Sequence, residues 1–280
     1  MTAKVNIRWA FNARRWTPTE AQILAMSSYI QLEEKERITR FVFKSDAKSS
    51  LIGRLMMRKF IHMCTSIPYN EIKLGRDEYG KPYLLGAGDM PVNFNVSHQG
   101  DYVVLAGHSH KRIGIDVMTI EPPVNKNVSE FFRLMRRQFS THEWSKICGY
   151  ETESQQLACF YRMWCLKESY VKNIGFGIRV PLESISFAIK SPLTVGELVT
   201  DTKLYEKSVL RQDWVFEETH LDDMHVVAVS MQGKDDDYKP EPYQFLQIED
   251  LMTEAQPLHE ADGVFAKDFV NKAIKPFESL

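Results

Sequence analysis

Asp116, Glu168 and Lys172 are the residues whose types and spacing can support charged chemistry. Asp116 lies in an alternating run in which Ile113, Ile115 and Val117 share one face, so its carboxylate takes the opposite face, near the end of a strand. A strand-end Asp is also a common cap or turn residue. At about 100° per residue, Glu168 falls with Leu157, Tyr161, Trp164 and Val171 on an apolar helix face. A carboxylate aimed at a core needs a partner, because an unpaired buried charge is costly. Lys172 lies one turn later in the Glu-to-Lys i, i+4 orientation, where a surface ion pair is worth about 0.3–0.5 kcal/mol. The other reading of the carboxylates is a site for a hard cation such as Mg2+. That ion takes one or two carboxylates together with waters and phosphate oxygens.

Periodicity predicts the elements that position these groups. Residues 31–63 read as largely helical, with Ile52, Met56, Phe60 and Met63 on one face and Ser45 or Asp46 as the cap. Arg54 and Arg58 read as a solvated face of that helix. Ile7, Trp9 and Phe11 alternate as a first strand. Val92, Phe94 and Val96 alternate with Asn93, Asn95 and Ser97. Gln99-Gly100-Asp101 then turns the chain into a returning strand at Tyr102–Ala106, and such short turns imply antiparallel pairing. Glu121-Pro122-Pro123 is a break, followed by helical spacing over 129–148 and 154–174. Beyond about residue 231 the chain is rich in Asp, Lys and Pro and reads as a loosely attached extension.

No apolar run approaches the roughly 20 residues of a membrane-spanning helix, and the first residues hold no continuous apolar core of a secretion signal. Arg8, Arg14 and Arg15 imitate a transit peptide, but the alternation around them favours a strand. Cys64, Cys148, Cys159 and Cys165 form no C-x-x-C pair and no zinc spacing, so they read as small buried hydrophobes in a reducing cytosol. Residues 1–115 carry 17 Lys+Arg against 10 Asp+Glu, and the remainder 18 against 27, so the halves differ as +7 and −9. A basic half suits a polyanionic ligand or an acidic partner. Without a Lys/Arg run interleaved with aromatics, nucleic acid is not expected.

Four segments occur in one order: Tyr79-Gly80-Lys81-Pro82, Phe94-Asn95-Val96-Ser97-His98, Ile113-Gly114-Ile115-Asp116, and Trp164-x-x-Lys167-Glu168-Ser169-x-x-Lys172. This order resembles the surfactin-synthetase-type 4′-phosphopantetheinyl transferases. Arg8–Phe11, Glu33–Lys59, Phe94–Ala106, Glu130–Trp144 and Phe160–Gly177 bring it nearer the eukaryotic aminoadipate-semialdehyde dehydrogenase branch of that family. The resemblance implies transfer of the phosphopantetheine arm of coenzyme A to a serine hydroxyl of an apo acyl- or peptidyl-carrier domain. Adenosine 3′,5′-bisphosphate is released, which is a holo-[acyl-carrier-protein] synthase activity. It also implies an α+β monomer of two pseudo-symmetric halves, each a small antiparallel sheet with packed helices, and an active site at their interface. The halves would be residues 1–110 and 111–230, with 231–280 as a C-terminal extension, and the Asp116 strand would open the second half.

The resemblance further implies that Arg37, Arg76, Lys81 and His98 surround the coenzyme A phosphates. Tyr79, Gly80, Lys81 and Pro82 would run along the adenine, with Asn95 and Ser97 close to the ligand. Asp116 and Glu168 would hold Mg2+, with Mn2+ as a substitute, and Lys172 would meet the pyrophosphate. Glu168, Lys172 and His98 form the expected catalytic group, Glu168 either as metal ligand or as the base for the serine proton. Relatives often carry a third acid two positions after the strand Asp, where this chain has Met118, a poor ligand for a hard ion. Water or the Gln99 amide is then expected in that coordination position. Two rival classes are a coenzyme A-binding protein without turnover and a two-carboxylate phosphodiesterase or nuclease. The sequence leaves open which carriers are modified and whether acyl-coenzyme A serves.

Overall fold

The alternation around Trp9 becomes strand β1 (Asn6–Asn12) of a computed structural model that describes residues 5–88, 90, 92–175, 181–233 and 238–275. There follow α1 (Glu20–Ser27), α2 (Leu32–Thr39), α3 (Lys44–Thr65), β2 (Leu74–Arg76), β3 (Pro82–Leu84), β4 (Asn93–Gln99) and β5 (Tyr102–His108). The chain continues with β6 (Ile113–Thr119), α4 (Val128–Leu134), α5 (Thr141–Cys148), α6 (Glu153–Ile174), β7 (Ile185–Ala188), β8 (Lys203–Glu206) and β9 (Val209–Arg211). It ends with β10 (Trp214–Asp222), β11 (His225–Gln232), β12 (Tyr243–Phe245), α7 (Ile248–Met252) and α8 (Gly263–Asn271). These elements make an α+β protein of two units, residues 1–110 with 244–280, and residues 111–243.

In the first unit the sheet order is β12-β1-β5-β4, and β5 pairs antiparallel with both β1 and β4. Trp9, Phe11, Phe94, Val103 and Leu105 belong to one core with Ile52, Leu55, Met56 and Phe60 of α3. Each such side chain, fully buried, contributes about 1.5–3 kcal/mol. Met63 instead stands exposed in the last turn of α3. The opposite face of the sheet aligns Arg8, Ala106 and Asn95 in one row and Ala10, Val104 and Ser97 in the next.

Two sequence readings are corrected in this unit. Arg58 is buried rather than solvated, because the segment after α3 folds back and offers it carbonyls. Its Nη1 donates to the Ile72 carbonyl at 3.1 Å, its Nη2 to that of Tyr69, and its guanidinium lies 4.8 Å over the Tyr69 ring. The second correction concerns the C-terminal extension, which is no loose appendage from residue 244 onward. Leu246, Ile248, Leu251, Phe265, Ala266 and Phe269 join the α3 core, and Leu246 N donates to Ala10 O at 2.8 Å beside β1. Lys35 pairs with Asp262 at 2.8 Å. The apolar residues of this segment are too sparse and too short in period to announce themselves among its Asp, Lys and Pro residues.

In the second unit the main sheet has the order β10-β11-β6, all antiparallel, and β7-β8-β9 form a smaller sheet. Strand, 22-residue helix and hairpin run as β6, α6, β10-β11, with the first strand beside the last. The first unit repeats that plan as β1, the 22-residue α3, and β4-β5. Asp116 thus belongs to the sheet of the second unit, in mid-strand, and not to a meander with β4 and β5.

Close packing of α6 on β6 depends on Gly114. A Cβ at that position would lie 2.1 Å from Ser169 O and 2.7 Å from Asn173 N. Backbone atoms of a helix cannot yield as a side-chain tip can. The contact is stitched by Ser230 Oγ donating to Ser169 O at 2.8 Å, and by Asn173 Nδ2 donating to Ser230 O at 2.7 Å and Arg112 O at 3.1 Å. Gly114→Ala should therefore destabilise the protein by about 1–3 kcal/mol, the usual cost of overpacking, and lower its urea midpoint. An unchanged midpoint would show that α6 shifts freely on the sheet.

Candidate active site

Asp116 projects from the α6 side of β6, like Gly114, and its side chain is almost wholly buried. Lys172 Nζ meets Asp116 Oδ1 at 2.5 Å from the last full turn of α6, with 29% of its side chain still exposed. The ion pair runs from helix to strand rather than along the helix, so the plain i, i+4 reading of Lys172 with Glu168 is set aside. Glu168 lies on the half-buried stripe of α6 with Tyr161, Trp164 and Lys172. Helical phase grouped these residues correctly, yet that stripe is the most open side of a helix buried almost all round.

Burial pushes the Glu168 carboxyl above its ordinary value, and the nearby charge of Asp116 pushes it further, with Lys172 opposing both. Glu168 makes no hydrogen bond or ion pair among the described residues. Its oxygens are thus available to a ligand. Two neighbouring carboxylates, one raised by the other, form the oxygen donor set that a hard dication relieves. Among the described residues no group of three or more His, Cys, Asp or Glu gathers for a metal. Met118 packs its thioether into the cluster around Cys165 and Tyr170 and adds no oxygen. The donor set fits Mg2+ or Mn2+ completed by water and phosphate oxygens.

Two basic residues of α6 do enter the core, Lys167 and Arg162, and local spacing announces neither. Lys167 is the more deeply buried. Its Nζ meets Glu143 Oε2 at 3.0 Å and donates to the Leu182 and Ile185 carbonyls at 2.8 and 2.5 Å. Burial lowers the Lys167 pKa, and Glu143 opposes that shift. Glu143 also closes the capping box of α5 with Ser140 and accepts Phe187 N at 3.1 Å. The S-x-x-E spacing of Ser140–Glu143 was a readable signal. A second buried pair, Arg162 with Glu218 at 2.7 Å, ties the middle of α6 to β10. Glu218 and Asp116 occupy one row of the sheet with Ala228 between them.

The remaining candidates lie in the first unit. Arg76 ends β2 and spends Nε and Nη2 on Glu34, at 3.0 and 2.9 Å, and Nη1 on Gly80 O at 2.8 Å. A guanidinium has five N–H groups, so two remain for an oxyanion. Arg54 holds the same Glu34 at 2.7 Å, and Arg37, exposed on α2, adds its positive charge to Arg54. Burial alone would raise Glu34, but Arg76 and Arg54 outweigh it and leave its pKa lowered. One carboxylate thus organises two arginines, with a third charge nearby, a role invisible in local spacing.

Asp77 Oδ1 accepts Tyr79 N and Lys81 N at 2.9 and 2.8 Å, shaping the loop that carries Tyr79, Gly80, Lys81 and Pro82. Gly80 there has φ +82°. On β4, Asn95 and Ser97 are buried on one face, whereas His98 projects from the other face at the exposed strand end beside Gln99.

Comparison with known proteins decides the family. The model described as 4′-phosphopantetheinyl transferase, N-terminal, matches residues 14–110, and that of the 4′-phosphopantetheinyl transferase superfamily matches residues 112–229. The chain belongs to the 4′-phosphopantetheinyl transferase superfamily. It is 41% identical over 276 residues to the human L-aminoadipate-semialdehyde dehydrogenase-phosphopantetheinyl transferase, covering 92% of this chain and 89% of the relative. The Xenopus laevis protein of that name is 39% identical over 286 residues, covering 97% and 94%. A 4′-phosphopantetheinyl transferase of Bacillus subtilis is 34% identical over 165 residues, covering 59% and 69%. The resemblance read from four ordered segments therefore holds, and Asp116, Glu168 and Lys172 all fall within the superfamily match.

Because the folded-state pKa of Glu168 is raised, its ionised form costs stability at neutral pH, and that cost disappears below its unfolded value. Glu168→Gln without added divalent ions should thus melt at or above the native midpoint at pH 7. The gap should narrow towards pH 4. A variant melting several degrees lower at pH 7 would show that Glu168 is held by a favourable partner.

Proposed function

We propose that this protein transfers the 4′-phosphopantetheine arm of coenzyme A to a serine hydroxyl of an apo carrier domain, releasing adenosine 3′,5′-bisphosphate. The observation that carries this reading is the Asp116–Lys172–Glu168 cluster in a chain of the phosphopantetheinyl transferase superfamily. Its partners are coenzyme A and carrier domains, and the names of the animal relatives make an aminoadipate-semialdehyde dehydrogenase one candidate carrier. Among the described residues no helix is long and apolar enough to cross a membrane.

In this proposal Asp116 and Glu168 hold Mg2+ or Mn2+. When bound, such an ion supplies positive charge against the pyrophosphate of coenzyme A. Lys172 adds an ammonium beside the same oxygens, so charge on the departing bisphosphate is neutralised from the protein side. The serine oxygen forms the new bond to the phosphorus that bears pantetheine as the bond to the bisphosphate breaks. The serine proton passes to a carboxylate or to water. A carboxylate that ligates a dication is a weak base, so for Glu168 the metal role takes precedence over that of proton acceptor.

Binding of the remaining phosphates is assigned to Arg37, Arg76, Lys81 and His98, with Tyr79 to Pro82 along the adenine. The two uncommitted N–H groups of Arg76 and the arginine cluster on Glu34 support that assignment. Because Asn95 and Ser97 occupy the face of β4 opposite His98, a ligand touching all three would pass the exposed end of that edge strand. Gln99, also at that end, is retained as a candidate amide for the cation. The shared strand–helix–hairpin plan supports the reading of two pseudo-symmetric halves. A cytosolic monomer is part of the same proposal.

The test is mass spectrometry of a purified apo-carrier domain incubated with coenzyme A and Mg2+. The native protein should add the mass of one phosphopantetheine arm, and chelation of divalent ions should abolish the addition. Asp116→Asn and Glu168→Gln should each lower kcat by about 100-fold or more, the scale of losing one transition-state electrostatic contact, while keeping much of the coenzyme A affinity. Near-native turnover in Glu168→Gln would overturn the assignment. Activity surviving complete chelation would remove the metal from it.

A further inference from the structure

A cavity of about 940 Å3 opens in the second unit, away from Asp116 and its partners. Its wall runs from the short turn Arg136–Gln138 and the start of α5 to β7 and the β8–β9 turn. Arg136, Arg137, His142 and Lys207 line it, and Glu183 is the single acid among its lining residues. Arg136, Arg137 and Lys207 are exposed, and their side chains make no ion pair or hydrogen bond among the described residues. Three uncommitted cations around one concavity form a receptor for negative charge.

One further observation ties this cavity to α6, and another marks its far rim. Its floor includes Phe139, whose ring lies 5.9 Å from Trp164 and 5.4 Å beneath Lys167 Nζ. Trp164 is one helical turn before Glu168, so the cavity lies against the helix that carries the reactive carboxylate. At the other rim, Lys207 and Ser208 both adopt left-handed backbone, φ +48° and +66°, in the two-residue turn between β8 and β9. Asn and Gly suit such a turn far better, so the lysine carries a conformational cost there.

We propose that this cavity docks an acidic segment of the carrier domain and so helps to present its serine to the Glu168 side of α6. The inference rests on the transfer reading for the identity of the partner. The cationic rim supplies affinity and orientation, and no bond is made or broken there.

Binding of a fluorescently labelled apo-carrier is measured directly, by anisotropy, alongside turnover. The triple variant Arg136→Gln, Arg137→Gln, Lys207→Gln should bind the carrier at least about tenfold more weakly, with the KM for the carrier raised to match. Its kcat and its affinity for coenzyme A should stay within about twofold of native. Glu183→Gln should move carrier affinity the opposite way, which a folding defect would not do. A carrier whose acidic residues near the modified serine are replaced by amides should bind native and triple-variant protein alike. Equal binding of the native carrier by native and triple-variant protein overturns the proposal. Weakened binding that appears only with a lowered melting midpoint and lost coenzyme A affinity overturns it too. If the native protein binds the carrier through this rim but never modifies it, the transfer reading fails while the docking surface stands.

Discussion

The backbone contact between α6 and β6 at Gly114 governs the geometry of the charged cluster. With no Cβ in the way, the helix lies against the strand at the level of Ser169 and Asn173. Glu168 and Lys172 flank those two residues on the same helix and are thereby carried to Asp116 on the strand. Side chains as long as lysine and glutamate can reach many places. Here their Cα positions are set by a backbone-to-backbone approach, and Ser230, Asn173 and Arg112 lock it with hydrogen bonds. The site proposed here, which would take a dication and a pyrophosphate, gains from such rigidity, because reorganisation during reaction is what preorganised charge avoids.

Charge is buried elsewhere in this protein for a different purpose. Lys167 with Glu143, Arg162 with Glu218, and Arg58 with two backbone carbonyls fasten a helix, a strand and a loop to the long helices α6 and α3. Their donors and acceptors are largely matched, which is the condition under which buried charge is tolerated. Glu168 differs from all of them. It sits among half-buried aromatic residues with its oxygens uncommitted, and that contrast is what supports the role proposed for it.

Local pattern revealed the strands around Trp9, Phe94 and Asp116 and the course of α6, because each has a clear period. It also brought Asp116, Glu168 and Lys172 together through the four ordered segments. It misjudged burial on α6, where core contacts on several sides blur the apolar phase, so that Lys167 and not Glu168 points inward. Arg54 and Arg58 looked solvated because their partners, Glu34 and the carbonyls after α3, are joined to them only by tertiary folding. The C-terminal residues failed for the same reason. Leu246, Leu251 and Phe269 find their neighbours on α3, some two hundred positions earlier in the chain.

That last arrangement bears on how the protein is made. The second unit is continuous from 111 to 243, so every residue it needs emerges from the ribosome in one stretch. The first unit begins earlier yet receives part of its core, and the edge strand β12, only from residues beyond 243, which are made after the second unit. Order of birth and order of completion are therefore reversed. Until residues 244–271 have emerged, the nascent amino-terminal unit exposes the apolar surface of α3 and an unpaired edge of β1, the features that chaperones protect.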